Sequence, residues 1–232
     1  MKKILIVETN VNQYKGTNKA TGLWLGETVE FLAEIYKYQF EADFVSPLGG
    51  YVPIDPRSMK NLDSDVMDIY SNATFIEKGL RNTLSPANVK SEDYIAIYFT
   101  GGHGVMWDFP ENNALQKIAS DIYESNGYVL SVCHGIAGLL NIRLANNDYL
   151  IANKKLTGFT KTEERLAMKS KVVPFDNEEM TVKRKGHFIK KRFFKSHVVK
   201  DGHLITGQNP YSTRELARTF IKGGYLNANS YW

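Results

Sequence analysis

The chain holds one cysteine in 232 residues. An intrachain disulfide is therefore excluded, and the composition suits a reducing compartment. Seven prolines are too few for a proline-rich spacer, and no Ser/Pro/Gly linker, internal repeat or low-complexity segment interrupts the chain. Long apolar runs are missing as well: none approaches the ~20 residues of a membrane span. The run in MKKILIVETN is too short, and lacks the small-residue cleavage site, for a secretory signal. The expectation is a soluble, cytoplasmic protein with no membrane partner. Charge is not one-sided either. Twenty-nine Lys and Arg against 25 Asp and Glu give +4, with a pI near 8.9, which does not demand nucleic acid or an anionic surface.

What is present is an ordinary globular composition, 43% hydrophobic and 23% charged. A single domain of this size buries roughly 70–75% of its unfolded-chain surface, so residues 1–232 read as one domain. Lys3 to Val7, Glu41 to Pro47, Tyr94 to Thr100 and Tyr128 to Val132 read as strands, the later ones apolar enough to be fully buried. Leu25, Val29, Leu32, Ile35 and Tyr36 recur at helical spacing after Thr21-Gly22. Helices are also expected within 61–90, over Leu115–Ser125, from Gly135 to Leu140, over 176–185 and over Thr213–Lys222. Lys155 to Gly158 reads as a short strand. Ser196–Val199 and His203–Thr206 read as two strands joined at Asp201-Gly202. Strands alternating with helices predict a parallel sheet covered on both faces.

In such a sheet ligands sit beyond the carboxyl ends of the strands. Two segments fall there. Thr100-Gly101-Gly102-His103-Gly104 follows one buried strand, and Cys133-His134-Gly135 follows the next. A tight strand-to-helix turn would push the Cys133 side chain out of the sheet, as in elbows built on serine. The helix N-terminus beyond it would favour a thiolate. The His134 amide and Gly102 could then donate to a developing oxyanion. The plain alternatives are a small buried hydrophobe at Cys133, a merely orienting His134, and a His103 that only satisfies its loop.

TGLWLGE, DFVSPLGGYVPIDPRSM, TGGHGVMWDFP, SVCHGIAGLLN, LTGFTKTEE and LITGQNP, in this order between residues 21 and 210, resemble the ThiJ/PfpI superfamily. The likeness is to its heat-shock-chaperone-like, glyoxalase III branch. The resemblance implies an α/β fold, a flavodoxin-like three-layer α/β/α sandwich with a mostly parallel central sheet. It implies a cysteine at the elbow, a neighbouring histidine, and a glutamate from an early helix against the sulfur. In T-G-x-x-x-x-E that glutamate is Glu27, which the local pattern alone would leave on a solvent face. A carboxyl buried beside a thiolate would have a raised pKa and could shuttle a proton. Relatives commonly carry His-Pro where this chain has Glu30-Phe31, which bears on the lining of the pocket mouth. Glu163, after LTGFTKT, is the candidate third partner of the histidine.

The activity so implied is cofactor-independent conversion of reactive 2-oxoaldehydes, methylglyoxal to lactate, with Cys133 forming a hemithioacetal and Glu27 or His134 moving the proton. Reversal of early protein glycation belongs to the same chemistry. The partners implied are a small carbonyl substrate, glycated or misfolded proteins, and a second copy in a homodimer. A holdase or redox sensor using Cys133, or a cysteine peptidase or amidase, are the other readings. A glutamine amidotransferase needs a distal His-x-Glu, but His187, His197 and His203 are followed by Phe-Ile, Val-Val and Leu-Ile. One Cys and five scattered His show no metal-ligand spacing. No dinucleotide fingerprint follows a strand. KRKGHFIKKRFFK, residues 183 to 195, could meet nucleic acid, but Asp176, Glu178 and Glu179 just before it favour a solvated face.

Overall fold

The computed structural model describes residues 2–60 and 63–226. Among the described residues eight strands form: β1 (Lys3–Val7), β2 (Glu41–Val45), β3 (Tyr94–Phe99), β4 (Tyr128–Val132), β5 (Lys155–Leu156), β6 (His187–Phe188), β7 (Val198–Asp201) and β8 (Leu204–Gly207). The α-helices are α1 (Leu25–Ile35), α2 (Ser64–Tyr70), α3 (Ala73–Phe75), α4 (Val105–Asp108), α5 (Asn113–Glu124), α6 (Lys161–Leu166), α7 (Asn177–Lys183) and α8 (Thr213–Phe220). Six strands make the main sheet in the order β2-β1-β3-β4-β8-β7. All neighbours are parallel except the β7–β8 hairpin, whose turn is Gly202-His203, one residue beyond the expected Asp201-Gly202, because Asp201 still pairs with Leu204. This is the flavodoxin-like arrangement, with its switch point between β1 and β3.

Side chains alternate across the strands, as the pleat requires. Ile4, Ile6, Tyr98, Leu130 and Val132 pack with α1 and α8, while Leu5, Val7, Ile97, Phe99 and Val129 pack with α5 and the coil after β4. The two apolar faces make the three layers. The parallel register sets Val7 opposite Phe99 and Val132 opposite Gly207. The strands therefore end together, and the segments that follow β1, β3, β4 and β8 meet along one edge.

Several elements differ from the sequence expectation. Residues 61 and 62 of the expected helical stretch lie outside the described residues. The rest of that stretch divides because Asn72 accepts from the amides of Thr74 and Phe75 at 2.9 and 3.2 Å, capping a new helix. The chain after Cys133 forms a 3₁₀ coil over Cys133–Leu139. β5 is two residues long and pairs with β6, outside the main sheet. β7 begins at Val198 because the His197 amide donates instead to Ser212 Oγ, 3.1 Å away. Phe31 lies in the core, stacked on Tyr98 at 4.1 Å between centroids, so of the Glu30-Phe31 pair only Glu30 reaches the pocket mouth.

Candidate active site

β4 ends at Val132, and the next residue turns sharply. Cys133 has φ +56°, a left-handed conformation that a side chain seldom adopts. The turn is held because the Cys133 carbonyl accepts from the Phe159 amide at 3.0 Å. The side chain is thereby aimed along the strand edge, into a site where Cys133 and His134 are both buried. The elbow is as expected, but its effect on the thiol is the reverse of what a helix N-terminus alone would give. Burial pushes the Cys133 thiol well above its ordinary value, and charge on Glu27 pushes it the same way. The His134 amide opposes this only in part.

Glu27 stands in the first turn of α1, fully buried. Its Oε2 accepts from the Gly101 amide at 2.6 Å, while Oε1 has no hydrogen bond of good geometry. The neighbour acting on this carboxyl is the Cys133 thiol. Burial pushes Glu27 up to about 8, against the lowering influence of the thiol and of the Gly101 amide. The carboxyl is therefore neutral at pH 7 and carries an O–H it can donate. Close approach requires glycine at two positions. A Cβ on Gly101 would stand 2.5 Å from Glu27 Oε2 and 3.0 Å from Cys133 Cβ. Gly102 has φ +99°, and a Cβ there would meet the Gly22 carbonyl oxygen at 2.2 Å. Glu27 thus occupies the Gly101 amide, and the His134 amide acts on the Cys133 sulfur.

His134 folds back on its own neighbour. Its Nδ1 lies 3.3 Å from Cys133 Sγ, and its Nε2 lies 2.8 Å from Glu164 Oε2. His103 meets the same carboxylate, Nε2 to Oε1 at 2.9 Å. The third partner of the histidine is thus Glu164, and the expectation at Glu163 is corrected. Thr160 caps α6, and Glu163, three residues on, closes a reciprocal capping box with it. Glu163 also accepts from the Phe194 amide at 2.8 Å, from Gln208 at 3.1 Å and from Asn209 at 2.8 Å. Glu163 ties loops together, while the next residue projects to the imidazoles. The motif Thr160-x-x-Glu163 is itself the signal that could have assigned Glu163 to the cap.

Burial alone would raise the Glu164 carboxyl, but His134 and His103 outweigh it and hold Glu164 well below the usual carboxylate range. His103 is pushed down to about 4 by burial and by His134, against the pull of Glu164. Behind His103 stands Arg57, Nη2 to Nδ1 at 3.2 Å. Neither Arg57 nor Glu164 was singled out by the sequence. Phe159 covers His134, ring to ring at 4.3 Å.

These groups open on a cavity of about 600 Å³, walled by Trp24, Gly102, His103, Cys133, His134 and Phe159, with Arg57, Phe194 and Arg214 further out. A neighbouring cavity of about 630 Å³ shares Phe159 and Glu164 but does not reach Cys133. The first therefore holds the chemistry. Among the described residues, His103, His134 and Glu164 form a group whose donor atoms lie close enough to hold a metal ion. Here each carboxylate oxygen already faces an imidazole, and the Arg57 cation stands behind one of the rings, so the cluster is closed by its own hydrogen bonds. No helix among the described residues is long and apolar enough to cross a membrane.

The same geometry sits on a chain with clear relatives. Glutathione-independent glyoxalase HSP31 of Saccharomyces cerevisiae is 29% identical over 227 residues, 93% of this chain and 95% of that one. The crystal structure of glyoxalase III from Candida albicans superposes with a TM-score of 0.85 at 27% identity, covering 95% of this chain and 96% of that one. Rapid Encystment Protein 24 KDa of Francisella tularensis gives 0.91 at 35% identity, over 94% and 97% of the two chains. The model of the DJ-1/PfpI family matches residues 61–223, which include the elbow, both imidazoles and Glu164, and the chain belongs to that family.

Proposed function

We propose that this protein is a cofactor-independent glyoxalase that converts 2-oxoaldehydes, methylglyoxal foremost, to 2-hydroxy acids without glutathione. The observation that carries the reading is the buried relay Cys133–His134–Glu164, with the neutral carboxyl of Glu27 on the other side of the sulfur. Near full-length likeness to glutathione-independent glyoxalases supports the substrate class. The lone buried thiol suits a reducing, cytoplasmic compartment.

The thiol is held protonated by burial, so the proton must leave as the sulfur attacks. Sγ bonds to the aldehyde carbon C1 while the thiol proton passes to His134 Nδ1 and on to the C1 oxygen, leaving a hemithioacetal. The Gly102 and His134 amides steady the oxyanion, and the Glu164 carboxylate steadies the imidazolium. His134 next removes the C1 proton while Glu27 protonates the C2 oxygen, giving an enediol. Glu27 takes back the proton of the C1 hydroxyl, and His134 returns its proton to C2. The product is a thioester with a C2 hydroxyl: C1 has been oxidised and C2 reduced by the same electron pair. Water attacks the thioester, Cys133 leaves as the thiol, and the sum is methylglyoxal plus water to lactate. Incubation of purified protein with methylglyoxal in thiol-free buffer should yield lactate, and Cys133→Ser should abolish it with the fold intact. Wild-type turnover no faster than that of the serine variant would sink the reading.

A further inference from the structure

His103 and Arg57 take no part in the reaction as drawn, yet both are firmly placed. His103 is buried between Arg57 and Glu164. Arg57 is anchored by Asp55, which accepts from Nε at 2.9 Å and from Nη2 at 2.5 Å, and by the Tyr14 hydroxyl at 2.6 Å. A guanidinium carries donors only and stays charged. Facing it at 3.2 Å, His103 Nδ1 must present its lone pair. Nη2 has two protons for three acceptors, so the bond to His103 is a shared one. The choice of tautomer does not depend on its strength, because a proton on Nδ1 would point at the cation. The ring proton therefore sits on Nε2 and is donated to Glu164 Oε1. The opposite tautomer would set a lone pair against that oxygen and drive Glu164 to take up a proton or turn away. With Oε1 satisfied, Oε2 accepts from His134 Nε2–H, and the free lone pair of His134, on Nδ1, faces the sulfur.

We infer that Arg57 is a positioning residue: through the tautomer of His103 it fixes the proton order along Glu164, His134 and Cys133. The lock rests on the reading of Cys133 and His134 as the reacting pair. Other titratable or charged groups packed around this chain are Glu27 from α1, Asp55 and Tyr14 beside Arg57, Glu163 on α6 and Lys169 beyond it, with Glu30 and Arg214 at the rim. Among the described residues, Arg57 is the one bonded to His103 Nδ1.

Cys133 is the only cysteine, so alkylation by iodoacetamide reports this thiol alone and needs no substrate. Arg57→Gln should move the alkylation midpoint up by about one pH unit and cut kcat for methylglyoxal roughly tenfold with a much smaller change in KM, the scale of one charge-assisted hydrogen bond. Arg57→Lys, which keeps a cation of donors only, should recover most of both. In a His103→Leu background no ring nitrogen is left for Arg57 to orient, so Arg57→Gln should add little further shift. An equal shift in both backgrounds would mean that Arg57 acts by its field, and no shift in either would equally overturn the lock. Nitrogen NMR of the unaltered protein tests it without any variant: His103 must show Nε2 protonated and Nδ1 bare, and the reverse is fatal. A chain inert to methylglyoxal that still shows the tautomer and the alkylation shift would keep the lock and refute the glyoxalase reading.

Discussion

Glu164 Oε2 accepts from His134 Nε2 at 2.8 Å, while its neighbour Glu163 faces the other way and accepts from the Thr160 amide at 3.0 Å. Two adjacent glutamates, both buried, thus have separate tasks. One holds the base of the reaction, and the other holds the loops that carry it.

Their substitutions should separate cleanly. In Glu164→Gln one end of the amide must turn an N–H toward an imidazole N–H, so His134 loses its orientation. We expect kcat to fall at least about a hundredfold with little change in Tm, as when the orienting acid of a triad is neutralised. In Glu163→Gln a carboxylate that serves Thr160, Phe194, Gln208 and Asn209 loses one acceptor. Each buried group left unsatisfied costs about 1–3 kcal/mol, or a Tm lower by roughly 2–4 °C per kcal/mol for a chain of this size. Steady-state kinetics and thermal melts on both variants would expose exchanged roles.

Glu27 should show itself in the pH profile. Its carboxyl, pushed up to about 8 by burial, supplies a proton only below that value. Activity should therefore decline on the alkaline side with a midpoint near the same pH. Glu27→Gln keeps the size of the side chain and can still take the Gly101 amide on its oxygen, but has no proton to give and take. A loss of at least about a hundredfold in kcat, with Tm little altered, is the expected outcome. An unchanged alkaline limb in the variant would assign that limb to another group.

The strands were legible because Lys3–Val7, Tyr94–Phe99 and Tyr128–Val132 are dense apolar runs whose burial on both faces leaves no other assignment. Their common edge then placed Gly101 and Cys133 together. Glu27 was not legible from periodicity. α1 is buried on nearly every side, since the loop after β3 covers the face that local pattern gives to water. Only the motif carried that long-range fact. Glu164 differs in that the signal is local: Thr160-x-x-Glu163 marks a capping box, which commits Glu163 to the cap and leaves the next residue to face the imidazoles. Arg57 lies in a single 3₁₀ turn, Pro56–Met59, too short for any spacing to mark it, and its meaning depends on Tyr14 and His103, 43 and 46 residues away.

Glu8 offers a test of the fold rather than of the reaction. It follows β1 and is fully buried; its carboxyl accepts one hydrogen bond, from the Thr28 hydroxyl at 2.9 Å, with Oε2 unpartnered. Burial pushes its carboxyl up to about 8, the Thr28 bond opposing only in part, whereas the unfolded chain has it near ~4.3. Between those values the native state holds a proton that the unfolded state has released. Stability therefore falls as pH rises through that window, by about 1.4 kcal/mol per pH unit for this group, and the loss is complete above the folded value. Glu27 and Asp108, which burial pushes to about 8 and about 7, add slopes of the same sign. Glu8→Gln cannot titrate, so it should remove one group's share of the slope and leave the rest. Denaturant unfolding of both proteins between about pH 5 and about pH 8 measures this directly. The wild-type curve should fall more steeply, so that the variant gains on it by about 1.4 kcal/mol per pH unit across the window. Parallel curves would mean that Glu8 ionises inside the fold as it does in water, which its surroundings of buried apolar side chains and one hydroxyl do not allow.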